Sequence, residues 1–138
     1  MKKILALAGA ALLVTLNATA ADKLKVVYHV DEYERVPFVL NNIENHIKGV
    51  GGPENVEIIL VAHGPALKAF EKKNADPSLL ERYGSLQKKG VEFDACGNTL
   101  KKESLGIADL PEGFVKLDEG GVVRLAELQH EGYIYIRP

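Results

Sequence analysis

The residues of this chain best suited to chemistry are Cys96, in "FDACGNTL", and His63, in "ILVAHGPAL". Cys96 is the only cysteine of 138 residues, so no disulfide can form within the chain and the fold must stand on its hydrophobic core. The cysteine falls where an apolar run ends, and Gly97 and Asn98 follow as turn or cap residues before a short helical pattern begins. A thiolate at such a junction faces free backbone N–H groups and the positive end of a helix, which favour the nucleophilic form. Gly97 leaves room for a partner to approach the sulfur. The other reading of the same residue is an inert thiol that packs as a small hydrophobe.

His63 closes an apolar run on the same side of the expected sheet, where it acts as a base, a charge partner for Cys96 or a ligand residue, or simply fills a turn. His29, at the end of "LKVVYHV", is open to the same readings. His46 falls off the apolar stripe of its helix, which predicts a solvated face, and His130 near a helix C-terminus suits the dipole. His29, His63 and Cys96 would make a copper-type donor set only if their strand ends adjoin. No H-x-x-H or C-x-x-C pair is present, so no structural zinc site is expected and no cofactor is called for. Asp31, Glu32, Glu34 and Arg35 read as the solvated N-terminus of a helix. The first strand is followed by "DEYERV" rather than a glycine-rich loop, which excludes a dinucleotide fingerprint and a P-loop; a G-x-S-x-G elbow is also absent.

The elements that must position these residues alternate. Leu24–Val30 is β-branched and aromatic, a buried strand. From Glu34 to Lys48, Val36, Val39, Leu40, Ile43 and Ile47 form a helical stripe, with Pro37 tolerated in the first turn and "GVGG" as the stop. Val56–His63 is a continuous apolar strand, and "GPALKAFEKK" and "SLLERYGSLQKKG" form a broken helical segment. Val91–Cys96 is the third strand, "GNTLKKESLG" a short helix, and Phe114–Leu117 a fourth strand. Val122–Gln129 is a helix with Val122, Leu125, Ala126 and Gln129 along one face, and Gly132 and the strand Tyr133–Ile136 close the chain. The order predicts an α/β fold, a three-layer α/β/α sandwich around a mainly parallel five-stranded sheet. In such sheets ligands gather where strands end and helices begin.

The N-terminus carries a different signal. "MKK" is followed by an apolar run of 13 residues, Ile4 to Leu16, and by small residues at Ala18 and Ala20. That run is short of the roughly 20 residues a membrane-spanning helix needs and matches a cleaved export signal over residues 1–20. The mature domain, 21–138, is then exported, with the periplasm as its compartment. Without Lys2 and Lys3 it carries 15 basic and 19 acidic residues and no basic run. Nucleic acid is excluded as a partner on that ground, as is a membrane surface once the signal is removed.

"VVYHVDE", "NNIENHI", "ILVAHGPAL", "VEFDACGNTL" and "GGVVRLAELQHEGYIYIRP" together resemble the DsrE/DsrF-like family, in an exported branch. The resemblance spans Leu24 to Pro138. It implies a compact domain that assembles as a homotrimer or homohexamer, and a cysteine that accepts and donates sulfane sulfur as a persulfide. Cys96 is the position that matches the family cysteine; His63, His29 and the backbone of Gly97 and Asn98 are the residues expected to bind and stabilise around it. The partners implied are sulfur donor and acceptor proteins or small sulfur compounds. Characterised relays of this kind are cytoplasmic, whereas this chain reads as exported. The alternative reading is an oligomeric module, not an enzyme, that binds a small ligand or a metal ion in a strand-end pocket.

Overall fold

A computed structural model describes residues 22–138; the export segment read over residues 1–20 lies outside the described residues. Five strands form one sheet, all parallel: β1 (Leu24–Val30), β2 (Val56–Ala62), β3 (Glu92–Cys96), β4 (Phe114–Leu117) and β5 (Ile134–Ile136). Their order across the sheet is β4-β3-β2-β1-β5. The helices are α1 (Val36–Gly49), α2 (Pro77–Lys88), α3 (Gly97–Lys102) and α4 (Gly121–His130). Gly64–Phe70 winds as a 3-10 helix before α2, which accounts for the broken helical pattern of that stretch. No helix among the described residues is long and apolar enough to cross a membrane.

The layering follows from handedness. From β1 to β4 the chain steps across the sheet in one direction, and right-handed crossovers put all the intervening helices on one face. The step from β4 back to β5 runs the opposite way, so the same rule puts α4 on the other face. The two faces differ in thickness. Val26, Tyr28, Leu60, Phe93 and Phe114 point into the larger core beneath α1 and α2, where Phe70 and Tyr83 complete an aromatic cluster. Val27, Ile59 and Val61 meet Leu125 and Leu128 of α4 in the smaller one. A strand's side chains alternate, so the faces divide at every second residue.

α4 lies differently from the expected orientation. Gly121, Leu125 and Leu128 face the sheet, while Val122 is 72% exposed and Ala126 and Gln129 are also at the surface. Spacing cannot choose between two overlapping stripes. The choice is made by Gly121, which lets the helix start close against β2 and β3, and by Arg124, which reaches a carboxylate on β3.

Candidate functional site

Parallel pairing brings the chemically capable residues into one row. Val30 pairs with Ala62, Ala62 with Ala95, and Cys96 with Leu117, so the strands end nearly flush. His63 follows the last residue of β2, and its backbone N–H donates to the Val30 carbonyl at 3.1 Å. After β3 the chain turns toward the α1–α2 face, where Leu100 of α3 joins the larger core. After β4 it turns the other way, into α4. The crevice between two such diverging loops is where open α/β sheets hold ligands, and Cys96 stands on its edge.

Two glycines bring the diverging loops together over the sulfur. A side chain at Gly97 would place its Cβ 2.5 Å from the Leu117 carbonyl oxygen, so only glycine lets α3 begin against the end of β4. At Gly121 an added Cβ would touch the Cβ atoms of Cys96 at 3.4 Å and His63 at 3.5 Å. The first turn of α4 therefore rests on the cysteine and the histidine at once.

Cys96 is 6% exposed, more recessed than a freely accessible thiol. Burial opposes its ionisation, but the backbone N–H groups of Gly121, Thr99 and Asn98 and the Thr99 hydroxyl all favour the anion. Together they hold the thiol below its ordinary range. Thr99 is itself fixed, because its Oγ1 accepts from the Gly64 N–H at 2.9 Å. The donors thus come from two helices, and one of them is braced from the loop after β2.

His63 and His29 meet directly. Their Nε2 atoms are 2.6 Å apart and the rings stack at 14° with centroids 4.7 Å apart. The Nδ1 of His29 makes a further 2.7 Å hydrogen bond with the Tyr135 hydroxyl of β5, so a chain of polar groups runs from beside Cys96 across β2 and β1 to the sheet edge. Burial, with His63 close by and Arg137 adding in the same direction, lowers His29 to about 4, against the opposing pull of Asp31. Among the described residues no three of His, Cys, Asp and Glu come together in a metal-holding group; His29 and His63 bond to each other instead.

Other expectations are revised. His46 does not simply face solvent: its Nδ1 hydrogen-bonds the Tyr28 hydroxyl at 2.9 Å, and the ring is partly buried. Asp31 and Glu32 are more than a solvated helix start, since Arg137 donates to Asp31 at 2.7 Å and to Glu32 at 3.4 Å and ties down the end of the chain. Gly121, Thr99, Asp94 and Tyr135 belong to the site and were missed. The available signals were a charged residue two positions before Cys96 in an apolar strand, and a Gly-Gly pair opening a helix. Beside α3 a cleft of about 490 Å³ opens between Gly97, Asn98, Lys101, Ile107 and Lys116, without Cys96 in its wall.

Comparison with known proteins gives three findings. The family model described as "DsrE/DsrF-like family" matches residues 13–138. The structure of a protein of unknown function from Methanobacterium thermoautotrophicum, MTH1491, is 30% identical and superposes with a TM-score of 0.73, covering 84% of this chain and 100% of its own. The ychN protein of E. coli, 16% identical, shares the fold with a TM-score of 0.63 over 83% of this chain and 99% of its own. No curated protein matches the chain.

Proposed function

The chain belongs to the DsrE/DsrF-like family, and from that premise we propose that it is a sulfur carrier whose Cys96 accepts and donates sulfane sulfur. The observation that carries the reading is the place of the only sulfur outside residues 1–20, at the crevice between β3 and β4 where the first turns of α3 and α4 close on it, in surroundings that hold the thiol below its ordinary range. A carrier needs a thiolate at neutral pH, and these surroundings favour one. It also needs no second cysteine to resolve the persulfide into a disulfide, and the chain has none.

The step is an exchange without net oxidation. The Cys96 thiol gives its proton to solvent, and the thiolate attacks the outer sulfur of a donor persulfide. The Sγ–S bond forms as the donor's S–S bond breaks, and the donor leaves as a thiolate with the electron pair. Transfer to an acceptor thiolate is the same step reversed. The recess around Cys96 shields the persulfide from further oxidation, which follows exposure.

Incubation of the mature protein with a small persulfide donor is expected to add one sulfur, about 32 Da, to the intact mass, reversibly by thiol reductant. Equal loading of wild type and Cys96→Ala would end the reading. Residues 1–20 carry the export pattern, so the periplasm is the proposed compartment; a chain that starts at Ala21 and is released by osmotic shock is expected. Val115, Val122, Val123 and Tyr135, exposed apolar side chains on the α4 side, support assembly as homotrimers or homohexamers, to be read by light scattering.

A further inference from the structure

Asp94 is the one fully buried carboxylate among the described residues, and an apolar strand is a costly place for it. Its neighbours in register on β2 and β4 are Val61 and Val115. Only α4 answers it: the Arg124 Nε donates to Oδ2 at 3.0 Å, while Arg124 Nη2 donates to Glu92 at 3.2 Å. The other oxygen, Oδ1, is buried and accepts no hydrogen bond from the described residues. A half-satisfied buried ion pair is a poor device for stability alone, since apolar residues of similar size fill such space at less cost.

Its position suggests another use. Asp94 and Cys96 are two apart on a strand and so share a face; Gly121 and Arg124 are three apart on a helix and share a side. Strand and helix are therefore joined at two places, where Gly121 packs against the Cys96 side chain and where the Arg124 guanidinium meets Asp94. The first turn of α4 has little else to hold it. Gly120 offers no side-chain cap, Gly121 is a weak helix former, and Val122 and Val123 are exposed.

We infer that Asp94 and Arg124 are positioning residues, which hold the first turn of α4 over Cys96 and so set how readily its thiol ionises. The inference rests on Cys96 being the reacting group, and not on sulfur being its cargo. The groups with charge or a titrating proton on the elements packed about the thiol include His63 from the loop after β2, Asp94 and Glu92 on β3, Arg124 on α4, and Asp118 after β4, which lies against Gly97 and pairs with Lys116.

The test is the pH dependence of iodoacetamide alkylation of the native protein, with no sulfur donor present. Asp94→Asn removes a negative charge near the thiol, so a purely Coulombic role predicts a lower thiol pKa. Positioning predicts the opposite, a rise of about one unit and a roughly tenfold slower reaction at neutral pH. An unchanged or lowered value in folded Asp94→Asn overturns the inference. Arg124→Lys covers the case in which Asp94→Asn does not fold. It keeps the charge but loses the two-pronged fork, so a rise is again expected and no change overturns the inference. Wild type that takes up no sulfur would remove the carrier reading and leave this comparison intact, so the two can fail separately.

Discussion

The Nε2 atoms of His29 and His63 face each other at 2.6 Å, with the Tyr135 hydroxyl on the far nitrogen of His29. A bond that short between two imidazoles needs one N–H and one lone pair. Either direction of donation satisfies both rings, whereas two N–H groups pointed at each other satisfy neither, so the contact opposes charging both rings at once. Burial, with His63 close by, is what keeps His29 neutral down to about 4.

That gives a stability profile with a defined sign. His29 titrates near 4 in the fold and near its ordinary 6.5 when unfolded, so between those values the unfolded chain binds more protons and stability falls as pH drops. Asp94 works the other way. Burial pushes it up to about 6 from 3.8 against the hydrogen bond from Arg124, so the folded chain takes its proton first and stability rises as pH drops through that window. The wild type is expected to show a shallow profile between pH 4 and 6.5. His29→Asn should gain stability on acidification relative to wild type, by about 1–2 kcal/mol once solvent screening of a half-buried ring is allowed for. Asp94→Asn should lose it. Urea midpoints measured across the window check this, and parallel curves for His29→Asn and wild type would contradict it.

Thr99 separates fold support from thiol activation. Its hydroxyl favours the Cys96 thiolate while its Oγ1 accepts from Gly64. Thr99→Val keeps the shape and removes both bonds. The thiol pKa is then expected to rise, and the unpaired Gly64 N–H to cost on the order of 1 kcal/mol. Thr99→Ser restores the hydroxyl and is expected to recover both. Alkylation rates against pH, with thermal midpoints of the same samples, distinguish the two effects. A Val variant with wild-type thiol acidity would remove Thr99 from the site.

The sheet and most of its helices were legible because their signals are local. "VEIILVA" reads as a strand buried on both faces, and the stripe from Val36 to Ile47 defines α1 with Pro37 in its first turn. The resemblance to DsrE/DsrF-like proteins was legible for a different reason, the joint order of several short motifs. What could not be read was the partner across space. Nothing in the spacing of Val122 to Gln129 says that Gly121 must rest on Cys96, or that Arg124 must meet Asp94. The His29–His63 contact depends on β1 and β2 pairing flush, which needs the register. The latch of Arg137 onto Asp31 joins residues 106 apart. Such contacts carry no periodicity.

Gly97 and Gly121 flank the same sulfur but should respond differently to one methyl group. At Gly97 the new carbon would meet the backbone carbonyl of Leu117 at 2.5 Å, and a backbone atom cannot swing aside. Gly97→Ala must part α3 from the end of β4, with an expected loss of about 1–3 kcal/mol, as for overpacking of a tight interior. At Gly121 the contacts to Cys96, Val61 and His63 begin at 3.4 Å, an ordinary van der Waals distance. Gly121→Ala should therefore fold with an unchanged or raised thermal midpoint, since alanine is the better helix former. The methyl group, however, adds a carbon against both Cys96 and His63, and is expected to narrow access to the recessed sulfur from the α4 side. Slower alkylation and slower sulfur loading in a protein at least as stable as wild type is the expected pair of results. A fully reactive Gly121→Ala would mean that donors reach Cys96 from the Gly97 side, and would move the entrance of the site to the cleft beside α3.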